Sequence, residues 1–498
     1  MQAMKAKDWQ GARNHFRKAI DLRPSFPRSY VGLSKACAKA GYPGAARRAV
    51  HEGLRQCTDR AELEQQLAEL PHVRFLDVKS FTAAVAQTES LLGGSAGDFD
   101  LAAVLNRGRA ACGSTDLPIE YRAFADALGA DGNSWVTTLR AMLDVARAVP
   151  QLFPHGLPLM MAGSPDTLEL SRWQVCALLA AGVLGFLPVQ DQAVLPDFNF
   201  NAILQSEQAK CACLLLYFKQ TLRKGEELHS EIISFQRSVL ADDAPETTSE
   251  FWASSRLPLA PVKIVQDGAI EDAHGALQAD FANMYIGGGV FSHGCVQEEI
   301  RFSVCPELLV SCLFCEVMEA NEAVVIVGAQ QFAQYSGYGF TFRCTGPNAD
   351  TTALDNHRRR DVHIVAFDAM VCIGSESSQY EVEGMLRELV KATVAFSGDA
   401  RESTPKRPLA TGNWGSGAFG GDPQLKFMLQ WMACTVSGRE MLYFPFGDPR
   451  MAQLESAVAK WSGFTVGDAW HQLLQRHATQ PPKRDAVFWK YDAPAAQR

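Results

Sequence analysis

The C-terminal half of the chain alternates short apolar runs with longer amphipathic segments. The short runs contain mostly β-branched and aromatic residues, and turn-forming residues bound them, so they predict strands. Two longer segments, 298–318 and 380–395, repeat apolar residues at the helical period and predict helices. This alternation is typical of an α/β domain in which a mixed sheet lies between helices. The predicted strands are 262–266, 323–328, 362–368 and 441–446.

The middle of the chain has a different pattern. From residue 118 to about 240 the apolar period is helical, for example over 135–149 and 168–187. Gly-, Ser- and Asp-rich stretches at 92–98 and 113–118 predict a linker and a turn before this region. We therefore expect an all-helical region, which the polar stretch 241–249 separates from the α/β domain.

The N-terminus contains an internal repeat. Ala12 and Phe16 are followed 34 residues later by Ala46 and Val50, so small and large residues recur together. The segment 8–24 resembles the second helix of a tetratricopeptide repeat with its closing proline. About three repeats are needed for a stable solenoid, and at most two are visible. A peptide-binding module and a plain helical appendage therefore both stay open.

The composition and the net charge exclude some classes of protein but do not change the predicted domains. The chain has 498 residues, 47% of them hydrophobic and 20% charged, which fits a globular protein of two to four domains. Its net charge of −8 provides no basic field for nucleic acid, so a polyanionic ligand would need local donors. The chain has thirteen cysteines, several of them in apolar runs, and its N-terminus has no apolar signal segment. We therefore expect reduced thiols in a nuclear or cytoplasmic protein.

The segment 280–302 concentrates the candidate chemistry. Three consecutive glycines, at 287–289, precede the adjacent carboxylates of Glu298 and Glu299. Glycine allows bare backbone N–H groups to approach phosphate or ribose oxygens. An acid and a base are what hydrolysis of a glycosidic bond requires. An isolated Glu-Glu pair is usually a solvated helix face, but all these elements within 23 residues favour a site.

Two further segments also predict ligand binding. Residues 411–422 contain five glycines and lead into an apolar helical segment, an arrangement in which backbone N–H groups can bind a diphosphate. Residues 334–342 form an aromatic run around Gly337, and aromatic faces stack on adenine. For the first segment the alternative is a flexible turn, and for the second it is core packing.

Together these motifs resemble the poly(ADP-ribose) glycohydrolase family over residues 116–470, including the accessory stretches 168–180 and 196–201. The resemblance implies an α/β macrodomain with a helical accessory region. The domains we expect are a tetratricopeptide-like segment (1–70), a connector (71–115), the helical accessory region (116–245), the macrodomain-like catalytic domain (246–480) and a C-terminal tail (481–498).

The resemblance also implies an activity, the hydrolysis of ribose–ribose O-glycosidic bonds in poly(ADP-ribose). Glu299 would protonate the leaving hydroxyl and then activate water, Glu298 would orient the ribose, and Asp280 and Asn283 would support both. Tyr338 would contact the adenine. The implied substrate-binding residues are Ile270, Glu271, Asn283, Gly287, Gly288, Gly289, Gln297, Tyr338, Asn413, Gly415, Gly417, Ala418, Phe419, Gly420 and Phe446.

We expect no cofactor and no metal, since no ligand cluster stands out in the sequence. The expected partners are poly(ADP-ribose), poly(ADP-ribosyl)ated proteins of the DNA damage response and a peptide partner of the N-terminal helices, but no membrane and no specific nucleic-acid sequence. Gly339 and Phe340 depart from the family, whose animal members tend to have Ala-Glu there. A non-hydrolysing ADP-ribose reader and a tetratricopeptide-type scaffold are the alternatives.

Overall fold

The computed structural model describes residues 9–39, 43–70, 72–73, 78–92, 102–103, 105–106, 110, 121–128, 132–187, 191–375, 377–402, 404–461 and 463–479. The predicted turn at 113–118 and the predicted tail at 481–498 lie outside these residues. So does the predicted linker at 92–98, except for its first residue.

The strands form one large sheet and two small ones. The small sheets pair β1 with β2 and β8 with β9. In chain order the strands are β1 His72–Val73, β2 Leu157–Pro158, β3 Asp166–Ser171, β4 Ile232–Val239, β5 Val262–Ile264, β6 Leu277–Ala282, β7 Glu322–Val327, β8 Ala333–Ser336, β9 Arg343–Pro347, β10 His363–Asp368, β11 Leu409–Gly412 and β12 Met441–Phe444.

The large sheet is mixed, with the order β3-β4-β7-β10-β6-β11-β12-β5. From β10 to β5 all neighbours are parallel, whereas β3, β4, β7 and β10 pair antiparallel. Parallel strands are usually covered on both faces, and every residue of β10 is buried, as is every residue of β7 beside it. The predicted α/β architecture with a mixed sheet between helices is confirmed.

The helices surround this sheet. In chain order they are α1 Trp9–Leu22, α2 Pro27–Lys39, α3 Pro43–Gln56, α4 Ala61–Ala68, α5 Val78–Leu92, α6 Arg122–Leu128, α7 Gly132–Ala146, α8 Val149–Leu152, α9 Arg172–Val183, α10 Asn201–Ser206, α11 Gln208–Lys224, α12 Ser249–Ser254, α13 Gln297–Val304, α14 Val382–Phe396, α15 Pro423–Val436, α16 Leu454–Lys460 and α17 Val466–Thr479. No helix in the described ranges is long and apolar enough to cross a membrane.

Each face of the sheet packs on its own core. Val324 and Ile326 of β7 face the core that includes α9 and α11. Val325 and Val327 face the opposite core, which includes α14 and α15. Alternation along one strand therefore joins the accessory helices and the C-terminal helices through a single sheet.

Two predicted helices are wrong in part. Residues 168–171 belong to β3, in which buried Leu168 and Leu170 alternate with more exposed neighbours. The helix α9 begins only at Arg172, where Ser171 forms a capping box with Gln174. The strand β4 also lies in the region that was expected to be all-helical.

The predicted helix 298–318 is the other case. The helix α13 ends at Val304, because Pro306 has no N–H with which to continue it. A 3₁₀ segment, Pro306–Leu313, follows. Only the first third of the predicted helix is therefore α-helical.

The N-terminal helices are part of the folded body. A Cβ on Gly32 of α2 would overlap the ring of Phe16, so the small residue allows α1 and α2 to pack closely. Arg47 of α3 pairs with Asp166 of β3 at 2.7 Å, and both side chains are buried. The predicted helical N-terminus is confirmed. Its identity as a tetratricopeptide repeat stays a prediction.

Candidate active site

A cavity of about 620 Å³ opens at the carboxyl ends of the parallel strands. Its walls come from the ends of β6 and from the segments that follow β10, β11 and β12. Ligands of open α/β sheets usually bind at this edge, because the strand ends leave a crevice between diverging loops. The fold thus brings together segments that lie far apart in the sequence.

The loop 283–296, here called the carboxylate loop, joins β6 to α13. The carboxylate of Glu298 accepts hydrogen bonds from the N–H groups of Asn283 (2.9 Å) and Gly287 (2.6 Å). The carboxylate of Glu299 accepts them from Gly289 (2.9 Å) and Val296 (2.8 Å). Both side chains are therefore fixed by the backbone that precedes them.

These bonds correct the expectation that the glycine triplet offers its N–H groups to a ligand. The N–H groups of Gly287 and Gly289 bind the protein's own glutamates, and that of Gly288 donates to the carbonyl of Tyr285 at 3.0 Å. The glycine triplet thus holds the carboxylates and does not present free donors to a phosphate.

Only glycine fits at the centre of the triplet. Gly288 has a φ of +51°, and a Cβ there would lie 2.7 Å from carboxylate oxygens of both Glu298 and Glu299. Both the backbone conformation and the available space therefore exclude a side chain at this position.

Three carboxyl groups form a buried cluster behind the cavity. Glu298 is 2% exposed, Glu299 is 6% exposed, and neither oxygen of Asp280 accepts a hydrogen bond from the described residues. Burial raises the pKa of Asp280 to about 8; Arg301 opposes this rise and Glu299 adds to it. Burial, followed by the charges of Asp280 and Glu299, raises the pKa of Glu298 well above its usual range. Asp280 therefore holds its proton at neutral pH.

Gln297 connects the cluster to the sheet. Its side-chain oxygen accepts a hydrogen bond from the N–H of Phe281 (2.8 Å), and its amide nitrogen donates to the carbonyl of Ala279 (3.1 Å). The side chain thus pairs with β6 as a neighbouring strand would, which fixes the start of α13 beside Asp280.

Lys210 of α11 supports the carboxylate loop from the accessory side. Its buried ammonium group donates to the carbonyls of Val290 (2.9 Å) and Ser292 (2.6 Å). Burial lowers the pKa of this lysine. Sequence reasoning missed Lys210, since a single lysine in an apolar helix gives no local signal.

The segment 413–421, here called the glycine-rich loop, forms another wall. Asn413 donates to the carbonyl of Pro445 at 2.9 Å, and its side-chain oxygen accepts from the hydroxyl of Tyr443 at 2.9 Å. Several of its N–H groups have no acceptor among the described residues. They belong to Gly415, Gly417, Ala418 and Phe419.

A buried ion pair lies beneath the glycine-rich loop. Lys426 of α15 pairs with Glu388 of α14, and its ammonium group lies 4.9 Å from the centre of the Trp414 ring. Burial lowers the pKa of Lys426 to about 7. The sequence offered no sign of this pair, because its two residues lie on different helices.

The aromatic wall comes from the turn between β8 and β9, residues 337–342, here called the hairpin tip. Tyr338 lines the cavity and is 57% exposed, so the core-packing alternative does not apply to it. Phe446 also lines the cavity and has a φ of +52°, a strained conformation for a residue with a side chain. Gly339 of the hairpin tip donates to the carbonyl of Cys295 at 2.9 Å, which ties the tip to the carboxylate loop.

The segment Ile270–Asp272 closes the aromatic end. Ile270 is buried at the cavity wall, and the carboxylate of Glu271 accepts a hydrogen bond from the hydroxyl of Tyr335. Tyr335 was not assigned to the site from sequence, although it lies inside the aromatic run that indicated one.

The predicted site residues fall into two groups. The first group lines the cavity: Ile270, Glu271, Gln297, Tyr338, Asn413, Gly415, Gly417, Ala418, Phe419 and Phe446. The second lies outside that lining: Asp280, Asn283, Gly287, Gly288, Gly289, Glu298, Glu299 and Gly420. Lining residues that sequence reasoning missed include Phe281, Val296, Tyr335, Ala369, Asp448 and Arg450.

His293 and Cys295 both lie in the carboxylate loop. His293 is exposed and pairs with Glu207 at 2.6 Å. In the described part of the chain, no group of three or more His, Cys, Asp and Glu side chains could hold a metal ion.

Two family models match the chain. Residues 249–453 match the model described as poly(ADP-ribose) glycohydrolase, macro domain fold, and residues 132–237 match the model for its helical domain. The probable poly(ADP-ribose) glycohydrolase 2 of Arabidopsis thaliana is 33% identical over 387 residues, which are 66% of this chain and 73% of the relative. Poly(ADP-ribose) glycohydrolase 1 of the same plant is 32% identical, over 67% of this chain and 73% of the relative. Poly(ADP-ribose) glycohydrolase 2 of Caenorhabditis elegans is 37% identical, over 67% and 68%.

Proposed function

Because the chain belongs to the poly(ADP-ribose) glycohydrolase family, we propose that it hydrolyses the ribose–ribose O-glycosidic bonds of poly(ADP-ribose) and releases ADP-ribose. The main structural support is the pair of backbone-held carboxylates directly behind a cavity with free N–H donors and exposed aromatic side chains. The cavity volume of about 620 Å³ lies in the range usual for small-molecule sites.

Glu299 is the proposed acid and base. It is the more exposed of the two glutamates, and its two backbone hydrogen bonds fix the carboxyl group beside Val296 and Gln297 at the cavity wall. As acid it gives its proton to the leaving ribose oxygen while the bond to the anomeric carbon breaks. As base it then takes a proton from the water that attacks this carbon.

Glu298 and Asp280 serve Glu299 in this mechanism. Glu298 is held by Asn283 and Gly287 and would orient the ribose of the bound unit. Asp280 has a pKa of about 8 and therefore stays protonated at neutral pH. A neutral Asp280 does not repel the carboxylate that Glu299 becomes once it has given up its proton.

The remaining walls suit the rest of ADP-ribose. The free N–H groups of the glycine-rich loop can bind the diphosphate. Tyr338 and Phe446 both line the cavity and can pack on the adenine, with Ile270 and Glu271 at its edge. A protein that only reads ADP-ribose has no need of three buried carboxyl groups, whose desolvation is costly, so hydrolysis is the better supported function.

The wider assignments are proposals too. We place the boundary between the accessory region (116–245) and the catalytic domain (246–480) in the polar stretch after β4, although β4 pairs directly with β7 across it. Poly(ADP-ribosyl)ated proteins are the proposed macromolecular substrates, and a peptide is the proposed partner of the N-terminal helices. A nuclear or cytoplasmic location is supported by the free thiols of the described cysteines, most of them buried.

Incubation of the purified chain with defined poly(ADP-ribose), followed by identification of the products, tests the function. We expect ADP-ribose to appear without added metal, and we expect a chelator to leave the rate unchanged. Activity that is lost on chelation and restored by a divalent ion would contradict the metal-free mechanism. No ADP-ribose at all would refute the function itself.

A further inference from the structure

The hairpin tip exposes an aromatic ring that the function described so far does not use. Phe340 is 94% exposed, the highest value among the exposed large apolar residues of the described chain. Single apolar residues on a protein surface are ordinary. Phe340, however, stands two residues after Tyr338, which lines the cavity.

The turn that presents Phe340 is well defined. The hydroxyl of Thr341 accepts a hydrogen bond from the N–H of Tyr338 (2.9 Å) and donates to its carbonyl (2.7 Å). Arg343 donates to the carbonyls of Phe340 (3.1 Å) and Phe342 (2.7 Å). The backbone that carries the ring is therefore fixed by a hydrogen-bonded turn and does not depend on ordering by a ligand.

The side of the cavity on which Phe340 lies is also defined. The residue before it, Gly339, donates to the carbonyl of Cys295 at 2.9 Å. The residue after Cys295 is Val296, whose N–H binds the carboxylate of Glu299 at 2.8 Å. Phe340 thus stands at the carboxylate end of the cavity mouth.

The chemistry of the polymer places an adenine there. The bond that is cleaved joins the unit in the cavity to a ribose of the neighbouring unit, and this ribose carries an adenine. The leaving oxygen must lie against Glu299, so the adenine of the leaving unit lies one ribose away, outside the cavity.

We propose that Phe340 stacks on the adenine of the leaving ADP-ribose unit and forms a second base-binding subsite. This inference rests on the proposed function and adds a substrate preference to it: a leaving group that contains adenine. The exposed Arg343 at the base of the same turn supplies a positive charge for the diphosphate of that unit, which matters in a chain with a net charge of −8.

The test compares two substrates. Poly(ADP-ribose) has an adenine in its leaving group, whereas the 1″-fluoride of ADP-ribose releases only a fluoride ion. For Phe340→Ala we expect kcat/KM on the polymer to fall about 5- to 100-fold, the range for loss of one base–aromatic stack. We expect kcat/KM on the fluoride and the affinity for free ADP-ribose to stay unchanged.

Three further variants sharpen the result. Phe340→Trp retains a stacking face and should restore the activity on the polymer. Phe26→Ala removes another exposed phenylalanine, one far from the cavity, and should change neither rate. Tyr338→Ala should weaken the binding of free ADP-ribose about 5- to 100-fold, because its ring serves the unit inside the cavity.

An equal loss on both substrates would show that Phe340 affects the unit bound inside the cavity. No loss on either substrate would show that Phe340 does not contribute to substrate binding. Either result overturns the inference. If the wild-type chain hydrolyses the fluoride but not the polymer, the proposed function fails before the inference is reached.

Discussion

The carboxylate loop and the glycine-rich loop both contain clustered glycines at the same edge of the sheet, yet they use their backbone N–H groups in opposite ways. In the carboxylate loop the donors at 287 and 289 bind Glu298 and Glu299. In the glycine-rich loop the donors at 415 and 417–419 have no acceptor among the described residues. One loop positions the chemistry, and the other remains open for the ligand.

The sequence neighbourhood explains this difference. Two carboxylates follow the glycine triplet within a dozen residues, on the first turn of α13, where they can bend back onto the loop. The glycine-rich loop meets no carboxylate until Asp422, which instead accepts from the N–H groups of Gln424 and Leu425 and caps α15. A glycine cluster therefore predicts a ligand site only after nearby acidic residues have been considered.

The strongest test of the carboxylate loop is Glu299→Gln. An amide has the shape of the acid but cannot donate its proton in the same way, so we expect turnover of poly(ADP-ribose) to fall by about two to four orders of magnitude. Affinity for ADP-ribose, measured by calorimetry, should stay close to wild type. A wild-type rate for this variant, with an inactive Glu298→Gln, would reverse the roles of the two glutamates.

Gly288→Ala should disrupt the same loop without replacing either glutamate. The new Cβ would lie 2.7 Å from both carboxylates, so we expect the rate to fall about 100-fold through misplaced catalytic groups. The matched control is Gly225→Ala. Its φ of +53° is nearly that of Gly288, but a Cβ there meets nothing within 4 Å. Equal losses in the two variants would attribute the effect to backbone strain.

Gly415→Ala tests the glycine-rich loop. Its φ is +67°, and a Cβ would overlap the side chain of Ala369, so the loop must shift. We expect ADP-ribose to bind about tenfold more weakly, which corresponds to roughly 1.4 kcal/mol. The value of kcat at saturating polymer should change less than the affinity does. A variant with normal affinity and reduced kcat would show that this loop also serves the chemistry.

The smallest effect we expect concerns pH. The pKa of Asp280 is about 8 in the folded chain and lies near its ordinary value of 3.8 when unfolded. As the pH rises between these values the unfolded state releases its proton first, so the free energy of unfolding falls. Asp280→Asn should reduce this fall between pH 5 and pH 6 by roughly 1 kcal/mol, because one group that keeps its proton only in the folded state changes the free energy of unfolding by about 1.4 kcal/mol per pH unit. Denaturant titrations at both pH values measure it, and an unchanged slope would contradict the assignment.

The sequence predicted the fully buried strands β7 and β10 better than the strands β3 and β4 of the accessory region. Strands such as β7 and β10 are buried on both faces and appear as continuous apolar runs. The strand β3 alternates buried and exposed residues directly before a helix, and its apolar positions also fit a helical period. The strand β6 was missed because polar Gln278 and Asp280 interrupt it, and both of these residues are buried beside the site.

Local motifs indicated the site, but they could not show which groups face the ligand. The glutamates, glycines and aromatic residues lie close together in the structure, as their order suggested. Residues such as Lys210 and Arg450 reach the site from distant elements and have no neighbouring motif that would single them out. Whether an N–H group is free depends on tertiary hydrogen bonds, which spacing alone does not determine.

The buried pair of Arg47 and Asp166 affects how the N-terminal helices can be studied. They pack beside β3, the edge strand of the sheet, and Leu67 and Leu70 share a small cavity of about 280 Å³ with Leu168 and Leu170. A fragment that begins after these helices would uncover that edge and its leucines, and such edges favour aggregation. Residues 1–115 alone would in turn present the complementary leucines to any protein in an extract. Proteins captured by either fragment could bind a surface that is covered in the intact chain. Partners should therefore be sought with the intact chain.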